Sequence, residues 1–532
     1  MKILKSKLKK ELNLLDLTML GLGGIVGSGW LFAAQKAANL AGPAAVIAWI
    51  IGGICVFFIA LVYAELAGML PESGSLIRYP QYTHGNFVSY ALAIALIIGD
   101  SSVIAIEALA TVQFASSYMP FLYSGHGVTQ AGWFATIGLI IIYFLLNYWS
   151  IRIAGKTNTI ITIFKFFTPT ATILFLIASF NPANLTQHGG FAPFGFPAIL
   201  AAVSSGGIIF AYLGFRQAVN MAGEAKNPTK DVPLAVGLAV GLAIVLYACL
   251  QLTFIGSLPA QEIAKGWGHL NFRSPFADIL LLLNIHWLAT IVFADAVLSP
   301  SGTGLIYVTS TSRIINAQAR NGIFWKIFVD VDEKTGVPRY ALWLTLLLAV
   351  IWTAPFPSWN KLVGVVSNAI VLTYMIGPVS VVSLRKFAPN LYRPFKAEPI
   401  MFISLVAFIV CTLLIDWSGW SNVSVLIAVD LIAFLLYFYF VATRDELKKD
   451  LGKNIKSGIW LICYMLFVAL ISYIGSKHFE GLGIIEYPLD QFVLIVASII
   501  FFFWAVNSAH YTDDIKEIVE ERGDEVAQRA SK

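Results

Sequence analysis

The chain has 532 residues, of which 58% are hydrophobic and only 12% charged, and its mean hydropathy is +0.77. Soluble domains run near a quarter charged, so this composition excludes a soluble protein and implies a polytopic membrane protein. The formal net charge of +5 does not indicate nucleic-acid binding, because the basic residues are distributed between apolar runs. Cys55, Cys249, Cys411 and Cys463 stand singly within such runs and form neither a metal spacing nor a disulfide framework. The seven histidines are scattered, so neither a metal nor another cofactor is expected.

A Lys-rich start (1–15) runs straight into a full-length apolar segment, so no cleavable signal peptide is expected. Apolar runs long enough to cross about 30 Å of hydrocarbon fall near 16–36, 43–70, 87–119, 131–150, 157–180, 196–221, 233–257, 278–312, 339–356, 361–384, 399–416, 421–443, 457–475 and 489–509. The expected architecture is therefore all-α and polytopic with about 14 transmembrane helices. With Lys2, Lys5, Lys7, Lys9 and Lys10 on the cytoplasmic side, all but seven of the 35 Lys and Arg are cytoplasmic. External loops hold Lys36, Lys265, Arg273, Lys361 and Lys477, while Lys165 and Arg216 fall within spans. One missed span would collapse this bias, so the positive-inside rule supports an even count and two cytoplasmic ends. The tail, 511–532, is polar and mixed in charge and reads as a short solvated or helical segment, or a regulatory one.

The first run contains Gly21, Gly23, Gly24, Gly27 and Gly29, each costing about 1 kcal/mol relative to alanine in a helix interior. Broken backbone at membrane depth persists only where it is buried in protein or lines a cavity. The sixth run repeats the pattern: Gly206-Gly207-Ile208-Ile209 answers Gly23-Gly24-Ile25-Val26. An offset of five spans reverses direction through the membrane, and glycine-interrupted spans at matching places mark an inverted-repeat transporter with its substrate at the midplane. Half-helix N-termini offer free amides to a carboxylate; half-helix C-termini offer carbonyls to an ammonium. The alternative is that the glycines merely allow close helix packing.

Three ordered segments resemble the amino acid–polyamine–organocation superfamily of permeases. They are Gly23-Gly24-Ile25-Val26-Gly27-Ser28-Gly29, the stretch Tyr63-Ala64-Glu65-Leu66-Ala67-Gly68-Met69-Leu70-Pro71-Glu72-Ser73-Gly74-Ser75, and Gly223-Glu224-Ala225-Lys226-Asn227-Pro228-Thr229-Lys230-Asp231-Val232-Pro233. Within the superfamily the chain looks most like the aspartate/glutamate proton symporters. The resemblance implies a LeuT-type 5+5 inverted repeat over 16–385, followed by four additional helices (386–510). It further implies that Ser28 and the amides of Gly27 and Gly29 bind a substrate carboxylate. Carbonyls near Ile25, Phe210 and Ala211 would take the α-ammonium, Phe210 would close over the substrate and Leu213 would wall it.

An ionisable group at the centre of a span costs roughly 2.5–3.5 kcal/mol on insertion scales. Lys165, in a run similar to the fifth span of sodium-independent relatives, is either the proton carrier or a permanently charged tether for the span-one carbonyls. The position of Arg216 is often acidic in relatives. Its planar fork suits a side-chain carboxylate; alternatively it snorkels or pairs with Glu224 or Glu65. Glu65 and Glu224 are expected at a cytoplasmic gate or in structural roles. Asp100 and Glu107, seven apart, share one helical face, Asp430 is expected in an interhelical contact, and Asp295 is a further acidic candidate.

The resulting reading is a non-enzymatic secondary transporter of the cell membrane. It imports an acidic amino acid with protons by alternating access, with the lipid bilayer and no nucleic acid as its other surroundings. Rival readings are a sodium-independent exchanger, a neutral amino-acid permease, a channel, and a non-transporting receptor. No nucleophile–base cluster or metal-ligand set suggests an enzyme. Oligomeric state is not encoded in these patterns.

Overall fold

The computed structural model describes residues 10–124, 127–149, 151–354, 359–448 and 450–520; Lys2, Lys5, Lys7 and Lys9 and the end of the tail lie outside them. The fold is almost wholly helical. The first run forms α1 (Leu14–Ile25) and α2 (Ser28–Ala41), followed by α3 (Ala45–Met69), α4 (Ser75–His84), α5 (Asn86–Ala115), α6 (Gln130–Trp149) and α7 (Ile151–Leu176). The sixth run is divided into α8 (Gly195–Ser205), α9 (Ile208–Tyr212) and α10 (Arg216–Asn220). Then come α11 (Pro228–Gly256), the short α12 (Ala260–Ile263) and α13 (Pro275–Leu282), α14 (His286–Arg320), α15 (Arg339–Thr353), α16 (Trp359–Tyr374) and α17 (Ile376–Phe387). The last part holds α18 (Ile400–Asp416), α19 (Trp420–Thr443), α20 (Asp445–Lys448), α21 (Leu451–Ile474) and α22 (Leu489–Ser508). A two-residue hairpin pairs Tyr123–Ser124 with Gly127–Val128.

Each of the fourteen apolar runs contains helix among its described residues. Among the described residues, ten helices are long and apolar enough to cross a membrane, or eleven counting the bent pair Gly195–Ser205 and Ile208–Asn220, and Leu14–Ile25, Arg339–Thr353 and Ile400–Asp416 are shorter apolar helices. Helix length alone therefore leaves the count of fourteen as a reading of the sequence. One boundary differs in kind. The eighth run, expected from 278, begins at His286, because the chain turns at Asn284 with φ +61° and leaves Pro275–Leu282 as a separate helix.

Local chemistry starts and stops these helices. Asn13 and Asp16 form a reciprocal capping box at α1: the Asp16 amide donates to Asn13 Oδ1 at 3.0 Å and the Asn13 amide to Asp16 Oδ2 at 3.1 Å. At the far end of α2, Gly42 adopts φ +61° ahead of Pro43.

The last helices do more than flank the core. The closing carbonyls of α4 have no partners within that helix. The Thr512 hydroxyl donates to the Tyr82 carbonyl (2.9 Å), the His510 amide to that of Thr83 (2.9 Å) and the Ser457 hydroxyl to that of His84 (2.6 Å). Residues 513–520 are helical, Ile515 is fully buried, and Gln81 donates to Asp514 at 2.8 Å. This part of the tail is thus docked rather than solvated, and the amphipathic placement of Ile515 and Ile518 explains why a polar-looking stretch packs.

Truncation after Ser508 removes three of these bonds at about 1 kcal/mol each. The expected result is a thermal midpoint lower by a few degrees, read by fluorescence-detected gel filtration, with the spans still folded.

Candidate functional site

The site grows from the two interrupted spans. Between α1 and α2 the chain opens at Val26 (φ −82°, ψ 81°) and Gly27 (φ −118°, ψ −142°). Between α8 and α9 it opens at Gly206 and Gly207, the latter at φ +86°, and the two halves bend by 45°. The glycines divide the labour. At Gly214 a Cβ would lie 2.0 Å from the backbone carbon of Gly24, and at Gly24 one would lie 3.0 Å from the Gly214 carbonyl oxygen. These two therefore serve the close backbone crossing of the two spans. Gly29 likewise faces Ala211, 2.8 Å from a notional Cβ. Gly27 and Gly207 serve the breaks themselves. Packing and interruption are both present, at different glycines.

At the first break three freed carbonyls, those of Gly23, Ile25 and Val26, find side-chain partners, as lipid offers none. Lys165, fully buried on α7, donates from Nζ to the Gly23 carbonyl at 2.6 Å and to Thr303 Oγ1 at 2.8 Å. Thr303 Oγ1 in turn donates to Gly23 at 2.8 Å. Ser299 Oγ donates to the Val26 carbonyl at 3.1 Å, and the Tyr247 hydroxyl donates to the Ile25 carbonyl at 2.8 Å.

The head of α2 holds a carboxylate supplied by the chain itself. The Ser28 amide donates to Glu107 Oε2 at 2.8 Å and the Ser28 hydroxyl to Glu107 Oε1 at 3.0 Å. The Trp359 indole donates to the same hydroxyl at 2.7 Å. A Cβ on Gly27 would sit 2.7 Å from Thr303 Oγ1 and 2.8 Å from Glu107 Oε1, so the approach of both side chains requires glycine there. Ser28 and Ile25, expected to receive substrate, are here occupied by Glu107 and Tyr247. The sequence pointed to α5 only through the seven-residue spacing of its two acids.

Asp100, the other acid on that face, meets the second broken span. Its Oδ1 pairs with Arg216 Nη2, both side chains fully buried, and the Ser310 hydroxyl donates to Oδ2 at 3.2 Å. The Arg216 guanidinium lies 5.3 Å from the Tyr307 ring. Its Nε and Nη1 are buried without acceptors. Arg216 therefore neither snorkels nor pairs with Glu224 or Glu65. Phe210 is buried and packs edge-on to Trp359, 5.8 Å between centroids. Leu213 is buried and its carbonyl accepts from the Tyr374 hydroxyl at 2.8 Å, while Ala211 closes a helical bond to Gly207 at 3.0 Å.

The end of the bundle that holds the N-terminal segment is laced by charge pairs. Glu65 accepts two bonds from Arg385, at 2.8 and 2.7 Å, and Glu398 joins the same guanidinium, which holds its carboxyl below the usual range. Glu224 accepts from Arg313 Nε at 3.1 Å and from Ser73 at 3.3 Å, and its carbonyl takes the amides of Glu11 and Leu12 at 3.0 Å each. Arg78 pairs with Glu72 at 3.1 Å. Among the described residues no cluster of three or more His, Cys, Asp or Glu suits a metal ion.

Two interrupted helices, backbone against backbone around a buried polar centre in a polytopic bundle, define a membrane carrier built for a small polar solute. The chain matches the amino acid permease family over residues 12–437, and it belongs to that family. It is 42% identical over 501 residues to the aspartate-proton symporter of Bacillus subtilis, covering 93% of this chain and 96% of that one. It is 40% identical over 524 residues to the glutamate/serine transporter AimA of the same organism, covering 97% of each. The branched-chain amino acid permease BcaP is 27% identical over 461 residues, 84% of this chain and 96% of its own. The protein is thus a multi-pass amino-acid permease and not an enzyme.

Gly214→Ala drives a methyl group into backbone that cannot yield, at a cost of at least about 3 kcal/mol, and is expected to abolish folded protein on gel filtration. Gly27→Ala meets the ends of two side chains instead. It is expected to fold and to change the apparent affinity for transported amino acid by roughly tenfold, or about 1.4 kcal/mol, in counterflow.

Proposed function

We propose that this permease imports acidic amino acids, L-aspartate or L-glutamate, together with protons, by alternating access at the plasma membrane with both termini in the cytoplasm. Residues 16–385 form the transport core and 386–510 a supporting extension. The observation that carries the reading is that both cations buried in the membrane touch the interrupted spans. Lys165 holds the Gly23 carbonyl, where a monovalent cation would otherwise be needed to satisfy the open backbone. Arg216 retains two buried donor nitrogens, Nε and Nη1, without acceptors, and a substrate side-chain carboxylate supplies the acceptors. The relatives named for aspartate–proton symport and glutamate/serine transport support the same reading.

In this reading the α-carboxylate of the substrate takes over the Ser28 amide and hydroxyl and the amides of Gly27 and Gly29. Glu107 must leave or be protonated first, and that ties loading to proton uptake. Carbonyls near Ile25, Phe210 and Ala211 receive the ammonium, with Phe210 and Leu213 as walls. Lys165 carries the coupled proton, while the Glu65 and Glu224 networks close the cytoplasmic side. A second reading, a neutral amino-acid permease or exchanger, is favoured by the Arg216–Asp100 pair, which already neutralises the guanidinium, and by the serine in one relative's name.

Uptake of labelled aspartate into proteoliposomes under an imposed pH gradient decides between them. The expected result is sodium-independent accumulation driven by the gradient and competed by glutamate more strongly than by serine. Dependence on sodium, or indifference to the gradient, overturns the proton reading. Arg216→Ala is expected to weaken aspartate at least tenfold, about 1.4 kcal/mol, relative to serine; unchanged selectivity removes the acidic-substrate assignment.

A further inference from the structure

Asp295 is fully buried on α14, and neither of its carboxylate oxygens has a hydrogen-bond partner. An unpartnered buried carboxylate is costly unless an opposite charge stands near or a proton sits on it. Among the described residues it is the acid with both oxygens in this state. Its place on the helix is informative. Asp295, Ser299 and Thr303 are spaced by four and lie on one face. Ser299 and Thr303 hold the Val26 and Gly23 carbonyls at 3.1 and 2.8 Å, and Thr303 accepts from Lys165 at 2.8 Å. Asp295 thus continues the face that builds the site, two turns nearer His286.

The facing helix α7 answers with the same periodicity. Lys165 meets Thr303, and Thr168, three residues on, lies beside Asp295 together with the Trp30 indole of α2. The Trp30 nitrogen is itself buried without an acceptor. The Lys165 ammonium is the charge that acts on Asp295. Lys165 in turn feels two carboxylates, Glu107 from α5 and Asp295 from α14. Lys165 therefore stands between an acid tied to the head of α2 and an acid faced only by the Thr168 hydroxyl and the Trp30 indole.

We propose that Asp295 is a proton-exchange residue, the group through which Lys165 receives its proton from the side of the membrane where α14 begins. The transfer balances without a co-reactant: once the side chains approach, the O–H of the protonated carboxyl breaks as the neutral amine takes the proton, leaving a carboxylate and an ammonium. The reverse step restores the neutral pair. The proposal rests on the reading of Lys165 as the proton carrier.

Asp295→Asn in the full-length protein tests it, with labelled aspartate in proteoliposomes as the probe. The expected result is a loss of gradient-driven accumulation of at least tenfold and loss of the aspartate-induced proton influx reported by an internal dye. Counterflow at equal pH, which needs no net proton transfer, should stay within about threefold of wild type. Asp295→Glu should restore part of the accumulation. An Asn variant that accumulates aspartate with the wild-type proton signal overturns the proposal, as does loss of counterflow in both variants, which marks a packing residue. A wild-type protein indifferent to the gradient overturns the proton-coupled function itself, and this proposal with it. A wild type that responds beside an unaltered Asn variant overturns this proposal alone.

Discussion

Everything in the centre of this permease depends on the crossing of Gly24 and Gly214. No side chain separates the two spans there: a methyl group on Gly214 would stand 2.0 Å from the Gly24 carbonyl carbon. That closeness sets the two breaks, Val26–Gly27 and Gly206–Gly207, side by side, and it is close because the residues adjacent to the openings are glycine. Each opening then needs partners for its freed amides and carbonyls, since lipid offers none. The surrounding helices are selected around that need: α7 brings Lys165, α14 brings Ser299 and Thr303, and α11 brings Tyr247.

α5 has the complementary task. Its two acids, two turns apart, meet the two broken spans separately, Glu107 at Ser28 and Asp100 at Arg216. A single rigid helix therefore touches both halves of the site through charge. Buried charge pairs of this kind add little net stability, yet removing one partner is severe. Their contribution is to hold a geometry whose disruption is costly, as expected where binding must be registered against proton occupancy.

The gross architecture was legible because lipid imposes blunt rules. Long apolar runs and paired glycine clusters each survive without knowledge of packing, and they give an all-helical membrane bundle with two interrupted spans. The glycine clusters marked which spans are interrupted, while packing remained a second reading of each glycine, and the structure assigns Gly27 and Gly207 to the breaks and Gly24 and Gly214 to the crossing. Which atoms the breaks engage was not legible. Glu107 appeared as one of several acids in apolar runs, and its spacing from Asp100 implied a shared face without naming Ser28 as the target. For Arg216 the sequence offers a substrate carboxylate, snorkelling, or pairing with Glu224 or Glu65, whereas the acid it meets, Asp100 of α5, is set by tertiary packing. For the tail the sequence left solvated and helical readings open: Ile515 and Ile518 are too few to register as an amphipathic pattern, yet they are buried where residues 513–520 form a helix. The same holds for α13, which hydropathy merges with α14 because an Asn at φ +61° leaves no trace in an apolar average.

The carboxylate at the head of α2 has one more consequence. A helix N-terminus with open amides attracts any small anion, and a cell offers chloride, phosphate and organic acids in abundance. Glu107 is a ligand that cannot diffuse away. Tethered within bonding distance of Ser28, it acts at an effective concentration in at least the millimolar range. The empty carrier is in this sense already filled by its own chain, and an incoming solute must displace a resident competitor instead of entering a bare socket. Stray anions that bring no ammonium for the neighbouring carbonyls have nothing with which to win that exchange.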